Sequence, residues 1–406
     1  MALLNAFLDL NPLRTRIYRR LWLGQTASAF GGQLTVVAVL YQVWEATGNP
    51  VWTGAVGLAG ALPLMVFGLF AGTMVDRRDR RLVYLVGMTG QACCSLLLAG
   101  QAFFLDLPVV GLLGLVAAQG CFGAATGPAA RTFLPRLLPP EKLAAGLALT
   151  RIGFQTAMLA GPAVGGLVLA AWGVGACYVV DAVTFCAALY GAFGLPAMKP
   201  EGSASRPGLR GVLDGLVFLV REPVVRGALV TDLAATVLSM PISLFPLVNA
   251  ERFGGDPRTF GLFLSAIAVG GVVASVLSGV FTRRARQGVT MLVGATAWGA
   301  ALTAFALAPN PWLGLGFLAV AGAADTVSVV SRSTIVQLVT PNPLLGRVAA
   351  AEQIVGRGGP EIGNLRGGLV AAATTGTFAL VSGGLACVAA VLLVAASTPG
   401  LRRFRV

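Results

Sequence analysis

Asp181, Asp232, Asp325, Glu352 and Glu361 each stand inside long runs of apolar residues, as do Arg151, Arg357 and Arg366. An ionisable group at the centre of a membrane span costs about 2.5–3.5 kcal/mol even on the mildest scale, so each asks for a partner or for water. Two chemistries follow. A carboxyl group in apolar surroundings holds a proton readily and can pass it on, which is what a reversible carrier needs. Asp232, Asp325, Glu361 and Asp181 are the proton-coupling candidates, with Asp232 first because no opposite charge lies within a turn of it in sequence; a permanent interhelix ion pair or a cytoplasmic gate bridge is the alternative for Asp232 and for Glu352. The guanidinium groups of Arg151, Arg357 and Arg366 suit an anionic molecule, since guanidinium holds paired oxygens and stacks on rings. Internal pairing is the competing reading: Arg357 and Glu361 are four residues apart and Asp325 and Arg332 two turns apart, so each pair shares a helix face. Gln33, Phe154, Gln155, Phe245 and Asn249 are further cavity candidates, each with plain packing as its alternative.

Other chemistries lack their residues. The chain has no His, and Cys93, Cys94, Cys121, Cys177, Cys186 and Cys387 lie in apolar runs without metal-ligand or disulfide spacing, so neither a metal site nor a cofactor is expected. No nucleophile, base and orienting group recur at informative spacing, and no phosphate-cradling loop is present, which argues against an enzyme and leaves a gradient as the driving force. A channel is disfavoured for want of a ring of charges or a filter-like repeat.

The elements that carry these residues are predicted to be membrane helices. Of 406 residues 56% are hydrophobic and 11% charged, and the mean hydropathy is +0.82. That is about half the charge a water-soluble globule uses to cover its interior. At about 20 apolar residues per span the length allows about a dozen crossings and no large extramembrane domain. Breaks at Gly, Pro, Asn and charge clusters give spans at roughly 18–44, 51–75, 82–105, 109–134, 143–172 and 175–195, then 224–250, 258–281, 289–307, 312–338, 345–373 and 377–397. The expected fold is therefore an all-α membrane protein of twelve transmembrane helices in two pseudo-symmetric six-helix bundles. The bundles are residues 1–196 and 223–406, joined by a cytoplasmic linker, 197–222, that holds a short amphipathic helix.

Charge placement sets the expected orientation. Of the 29 Lys and Arg, 22 lie in the amino terminus, the carboxyl tail and the connections after even-numbered spans, whereas the opposite connections hold Arg252 and Arg258. Basic residues stay on the cytoplasmic side, so both termini are expected there. The net charge of +13 is dispersed between apolar runs rather than gathered on one face, which excludes nucleic acid as a partner. Trp22, Trp44, Trp52, Trp172 and Trp312 fall near predicted span ends, where an interfacial belt explains them.

The halves repeat. Gly72, Arg77, Leu85, Val86, Gly87 and Thr89 recur 207 positions on as Gly279, Arg284, Leu292, Val293, Gly294 and Thr296, and Arg131 recurs 201 positions on as Arg332. One stable offset counts for more than any single identity in so apolar a composition.

The connection Gly72-Thr-Met-Val-Asp76-Arg77-Arg78-Asp79-Arg80-Arg81 resembles the signature loop of the major facilitator superfamily. Its Gly allows close helix approach and Asp76 can accept from helix N-terminal amides or a guanidinium, so Gly72, Asp76, Arg77 and Arg80, with Arg131 and Glu352, become candidates for a cytoplasmic gate. Gly161-Pro162-Ala163-Val164-Gly165-Gly166 is similar to the motif of the drug-antiporter branches. Gly161, Pro162, Gly165 and Gly166 are accordingly the candidate hinge in the fifth span, echoed at Gly359-Pro360-Glu361-Ile362-Gly363. Gly322 to Ser328, Arg332 to Pro341, Leu345-Gly346-Arg347 and the Leu401 to Arg405 tail resemble the siderophore, enterobactin-exporting branch.

The resemblance implies a proton-coupled exporter in the bacterial inner membrane. It would act as a monomer, with a siderophore-like small molecule, protons and membrane lipid as its partners. A multidrug or macrolide efflux pump is the nearest alternative. A non-transporting receptor or scaffold on the same fold is the alternative of another class, one that would bind cargo in liposomes without moving it.

Overall fold

Proline and short polar side chains start the helices where the sequence breaks. Asp79 accepts from the amide of Arg81 (2.9 Å), Asp256 from that of Arg258 (2.8 Å), Asn310 from that of Leu313 (2.9 Å) and Thr375 from that of Phe378 (3.1 Å). Each satisfies one of the amides a helix start leaves open, and Pro257 and Pro311 add a residue with no amide to satisfy.

The computed structural model describes residues 9–105, 107–197, 216–282, 284–341 and 344–405. Within the helices, the side chains of residues 68–77, 131, 144, 282, 345–347, 349, 350, 353 and 354 lie outside that description. Among the described residues the longer helices are α1 (Arg16–Thr47), α2 (Pro50–Arg77), α3 (Arg80–Phe104), α4 (Val109–Arg131), α5 (Pro140–Phe193), α6 (Pro223–Ser239), α7 (Phe245–Arg252), α8 (Pro257–Val276), α9 (Gln287–Ala306), α10 (Pro311–Val339), α11 (Leu345–Ala373) and α12 (Gly376–Ser397), with short helical turns at Leu134–Leu137, Gly279–Thr282 and Pro399–Arg403. No strand occurs among the described residues.

Two of the predicted spans meet without a loop, and another is divided. The fifth and sixth run together as α5, 54 residues interrupted at Gly173, whose φ of +76° and ψ of −179° are open to glycine and strained for any side chain. The seventh is broken after α6. Pro241 has no amide to donate, a 3-10 turn covers Ile242–Leu244, and α7 resumes at Phe245 with Pro246 in its first turn. Ten helical stretches among the described residues are long and apolar enough to cross a membrane, α6 to α7 counting as one and α5 as one. The 29-residue α11 is outside those ten and carries Glu352, Arg357, Glu361 and Arg366 along its length. Of the predicted linker, residues 198–215 lie outside the described residues, and residues 216–221 are helical.

Contacts divide the chain into two units, Met1–Gln42 with Ala59–Ser205, and Val43–Leu58 with Arg206–Val406. In the first, Tyr84 and Phe133 meet edge to face at 5.2 Å within a core that includes Leu21, Met88 and Phe185. Tyr18 donates to the carbonyl of Gly146 and Trp22 to that of Leu149, both at 2.8 Å, which fixes α1 against α5. In the second, Phe245 packs edge to face on Phe263 (5.5 Å) and Phe305 (5.7 Å), and the Trp298 indole donates to Ser239 Oγ at 2.9 Å. Trp172 and Trp312 are 71% and 74% exposed at the Gly173 bend and the start of α10, as side chains of a lipid–water boundary would be.

Candidate functional site

The second unit gathers charge inside its spans. Arg332 of α10 donates through Nη1 to Asp232 Oδ2 of α6 at 2.7 Å and lies 4.0 Å from Glu352 Oε1 of α11. Side-chain exposures of 11%, 12% and 19% put the three out of bulk water. Asp325, two turns before Arg332 on α10, is within electrostatic reach of both Arg332 and Asp232. Removing charges from water costs several kcal/mol each, which a pair offsets only with good geometry and further hydrogen bonds. Here Arg332 Nε and Glu352 Oε1 are buried without a hydrogen-bond partner. One guanidinium thus faces three carboxyl groups, with a close partner and a more distant one.

Asp232 has an opposite charge, supplied by a helix 100 residues away, which is the interhelix ion pair held open as the alternative reading for it. Arg332 serves Asp232 rather than Asp325 on its own helix. Arg357 and Glu361 also form no ion pair within 4.0 Å among the described residues; Arg357 is exposed, and Glu361 Oε2 accepts from Asn364 Nδ2 at 3.1 Å.

The first unit buries a single acid among neutral donors. Asp181 of α5 is fully buried, and its Oδ2 accepts from Thr35 Oγ1 of α1 (2.7 Å), Ser95 Oγ of α3 (2.7 Å) and Gln119 Nε2 of α4 (3.4 Å). Oδ1 has no partner and points at Gly31, where a Cβ would come within 2.8 Å of it. One turn earlier on α5, Tyr178 donates to Gln42 Oε1 at 2.7 Å, and Gln42 exchanges amide bonds with Gln101 at 3.1 and 3.2 Å. Such stacked polar layers give apolar helices a fixed register.

The break between α6 and α7 is filled from α11. It frees backbone groups that would otherwise be satisfied along a continuous helix. The Arg366 guanidinium donates to the carbonyl of Leu238. Asn364 Oδ1 accepts from the amide of Ser243 at 3.1 Å, and Ser243 Oγ donates to the Asn364 carbonyl at 2.8 Å. Thr53 of α2, within the same unit, donates to the carbonyl of Ser243 at 2.9 Å. Arg366 is therefore engaged with backbone, where sequence offered it to an anion.

The remaining candidates fall in several surroundings. Arg151 and Phe154 are exposed, and Gln155 and Gln33 are half-buried. Phe245 is buried in the aromatic cluster, and Asn249 is buried with its Nδ2 on the Asp256 carbonyl at 2.9 Å. In the hinge motif, a Cβ at Gly161 would lie 2.6 Å from Gln33 Cβ and one at Gly165 would meet Leu34, so α5 approaches α1 there. The echo does the same in the second unit, with Gly359 and Gly363 against Thr236 of α6. Gly72, Asp76 and Arg77 lie on the last turns of α2, and their side chains, with that of Arg131, are outside the described residues. Arg80 opens α3 beside Arg81, whose Nη2 donates to the Phe193 carbonyl at the end of α5 at 2.8 Å. Sequence reasoning passed over Arg81, Thr35, Ser95, Gln119, Thr53, Ser243 and Asn364; a polar residue within an apolar span was the available signal for most of them.

Long apolar helices in two units, with polar groups turned inward and charges paired across helices, define a membrane transporter. The chain belongs to the transmembrane secretion effector family, whose profile matches residues 8–401. The multidrug efflux pump Tap of Mycolicibacterium fortuitum is 28% identical over 83% of this chain and 85% of that protein. The enterobactin exporter EntS of Shigella boydii is 30% identical over 98% of this chain and 96% of its own length. Among solved structures, a POT family transporter in complex with 5-aminolevulinic acid superposes with a TM-score of 0.75 at 12% identity, covering 96% of this chain and 97% of that one. A bacterial homologue of the iron transporter ferroportin in its inward-facing state gives 0.70 at 18%, covering 96% and 99%. At these identities the likeness is one of fold; the family matched over residues 8–401 is the one that places the chain in the major facilitator superfamily. The protein is a multi-pass membrane transporter of small molecules, of the exporting kind, and not an enzyme.

Proposed function

We propose that the protein exports a siderophore-like, catecholate or carboxylate molecule across the inner membrane of a bacterium, with both termini in the cytoplasm, by exchange for protons and alternating access. The observation that carries this reading is the single guanidinium of Arg332 set 2.7 Å from Asp232 and 4.0 Å from Glu352, with Asp325 in reach. A proton taken by Asp232 removes the charge that holds Arg332, and the guanidinium then pairs with Glu352. Proton binding on α6 thereby becomes a change of partner between α6 and α11, the kind of two-state element that transport requires. The exposed guanidiniums of Arg151 and Arg357 suit an anionic cargo, and the enterobactin-exporting relative supports the cargo class.

The test uses everted membrane vesicles energised to an acidic lumen. Enterobactin should accumulate in vesicles bearing the protein, collapse of the pH difference should abolish accumulation, and Asp232→Asn should lose it while the protein remains folded. Unimpaired transport by that variant removes Asp232 from the mechanism. The similarity to Tap favours a second reading, a drug efflux pump, in which erythromycin accumulates and enterobactin does not.

A further inference from the structure

Glu361 has no ion pair among the described residues, and its carboxyl group is held by an uncharged side chain three residues along its own helix. Its Oε2 is bonded by Asn364 Nδ2 at 3.1 Å and lies directly against the position a side chain would take at Gly57 of α2. The orientation of the Asn364 amide follows from chemistry. The Ser243 amide can only donate, so it takes Asn364 Oδ1 at 3.1 Å and leaves Nδ2 for the carboxylate. Asn364 is 5% exposed, and its backbone carbonyl also accepts from Ser243 Oγ at 2.8 Å. Ser243 sits in the 3-10 turn between α6 and α7, and its own carbonyl is held by Thr53 at 2.9 Å.

We propose that Asn364 is a positioning residue for proton coupling: its side-chain amide joins the carboxyl group of Glu361 to the broken backbone at Ser243, so that the charge on Glu361 sets how firmly the break is held. The proposal rests on the reading of the protein as proton-coupled, and adds to it the route by which a proton acts on a helix. An amide donates more strongly to a carboxylate than to a neutral carboxyl group. When Glu361 is ionised, Asn364 is fixed and its Oδ1 stays on the Ser243 amide. When Glu361 takes a proton, one anchor weakens and the turn opens more often, with the Thr53 bond beside it.

The surroundings leave Glu361 as the titrating group. From α2 it meets Gly57, with Thr53 a turn away, and from α6 Thr236 and Met240 pack on the flanking Gly359 and Gly363; none of these titrates. On its own helix Arg357 is in electrostatic reach, and Arg366 is committed to the Leu238 carbonyl. Arg357 is always charged and supplies a constant field.

Hydrogen–deuterium exchange of the full chain in lipid nanodiscs tests this, read by mass spectrometry on peptides spanning residues 238–247 and corrected for the intrinsic pH dependence of exchange. Protection of that segment should fall about fivefold between pH 8 and pH 5, the ratio expected between a charged and a neutral acceptor. Glu361→Gln, which keeps an acceptor in place, should hold the segment at its acid value at both pH values. Asn364→Leu should lower protection and leave it independent of pH, although Glu361 is intact. A merely structural asparagine would lower protection in Asn364→Leu and leave the wild-type pH dependence in place. That outcome overturns the proposal, as does a wild-type segment whose protection does not change with pH, or a Glu361→Gln protein that still responds. Should Asn364→Leu fail to fold, Glu361→Gln alone decides. The experiment contains neither cargo nor gradient, so it stands or falls separately from proton-driven export.

Discussion

Arg332 is the residue that Asp232 and Glu352 share. It balances Asp232 at 2.7 Å and has Glu352 at 4.0 Å, and both it and Glu352 keep a buried polar atom unbonded. Truncating one partner of a buried pair leaves an uncompensated charge and costs about 3–5 kcal/mol, whereas replacing both with apolar groups is often neutral. Arg332→Leu should therefore lower thermal stability in detergent sharply, and Asp232→Leu with Arg332→Leu should recover most of the loss without recovering transport. Equal melting of the single and double variants would show that the pair has little structural weight. This pairing was not legible in sequence. The acids and the arginine were visible as charges out of place in apolar runs, but a bond between α6 and α10 depends on packing that no local spacing reports. Asp181 was visible in the same way, while Thr35, Ser95 and Gln119 around it were hidden, because a hydroxyl or amide is an ordinary guest in a membrane helix.

At the scale of elements, glycine and proline account for the departures from straight helices. Pro241 and Pro246 flank the break of the seventh span, which hydropathy alone gives as one run, 224–250; that Asn364, Arg366 and Thr53 fill the break could not be read, since those residues lie on α11 and α2. The Trp-Gly-Val-Gly stretch suggested a boundary between the fifth and sixth spans, and the structure turns the chain there at Gly173 without a separate loop. A positive φ with ψ near 180°, as at Gly173, is essentially confined to glycine and costs a residue with a Cβ about 1–3 kcal/mol. Gly173→Ala should destabilise by that amount although nothing lies within 4 Å of the new methyl group, and Gly32→Ala, also in open space but inside a regular helix, should be neutral or slightly stabilising. Equal effects of the two in thermal melts would show that conformation at Gly173 is not what the bend requires. The two Gly-Pro motifs perform the same packing in their own units, α5 on α1 and α11 on α6, which gives the repeat seen in sequence a counterpart in contacts.

At the scale of the molecule, hydropathy was enough to read an all-helical membrane protein, because an apolar chain in lipid must satisfy its backbone within its own helices. Periodicity and offset carried the two-fold repeat, and the family to which residues 8–401 belong carries the exporting function. The coupling ion and the cargo are less accessible to sequence, because both depend on a few side chains brought together from distant positions, as Asp232, Arg332 and Glu352 are. Exchange of cargo for protons is what the charged cluster of the second unit is proposed to perform. Purified protein in liposomes with an internal pH indicator, given an outward enterobactin gradient and no other energy source, is the decisive assay. As cargo leaves, the lumen should acidify, and Asp232→Asn should show no proton movement; cargo efflux at an unchanged internal pH would rule the exchange out.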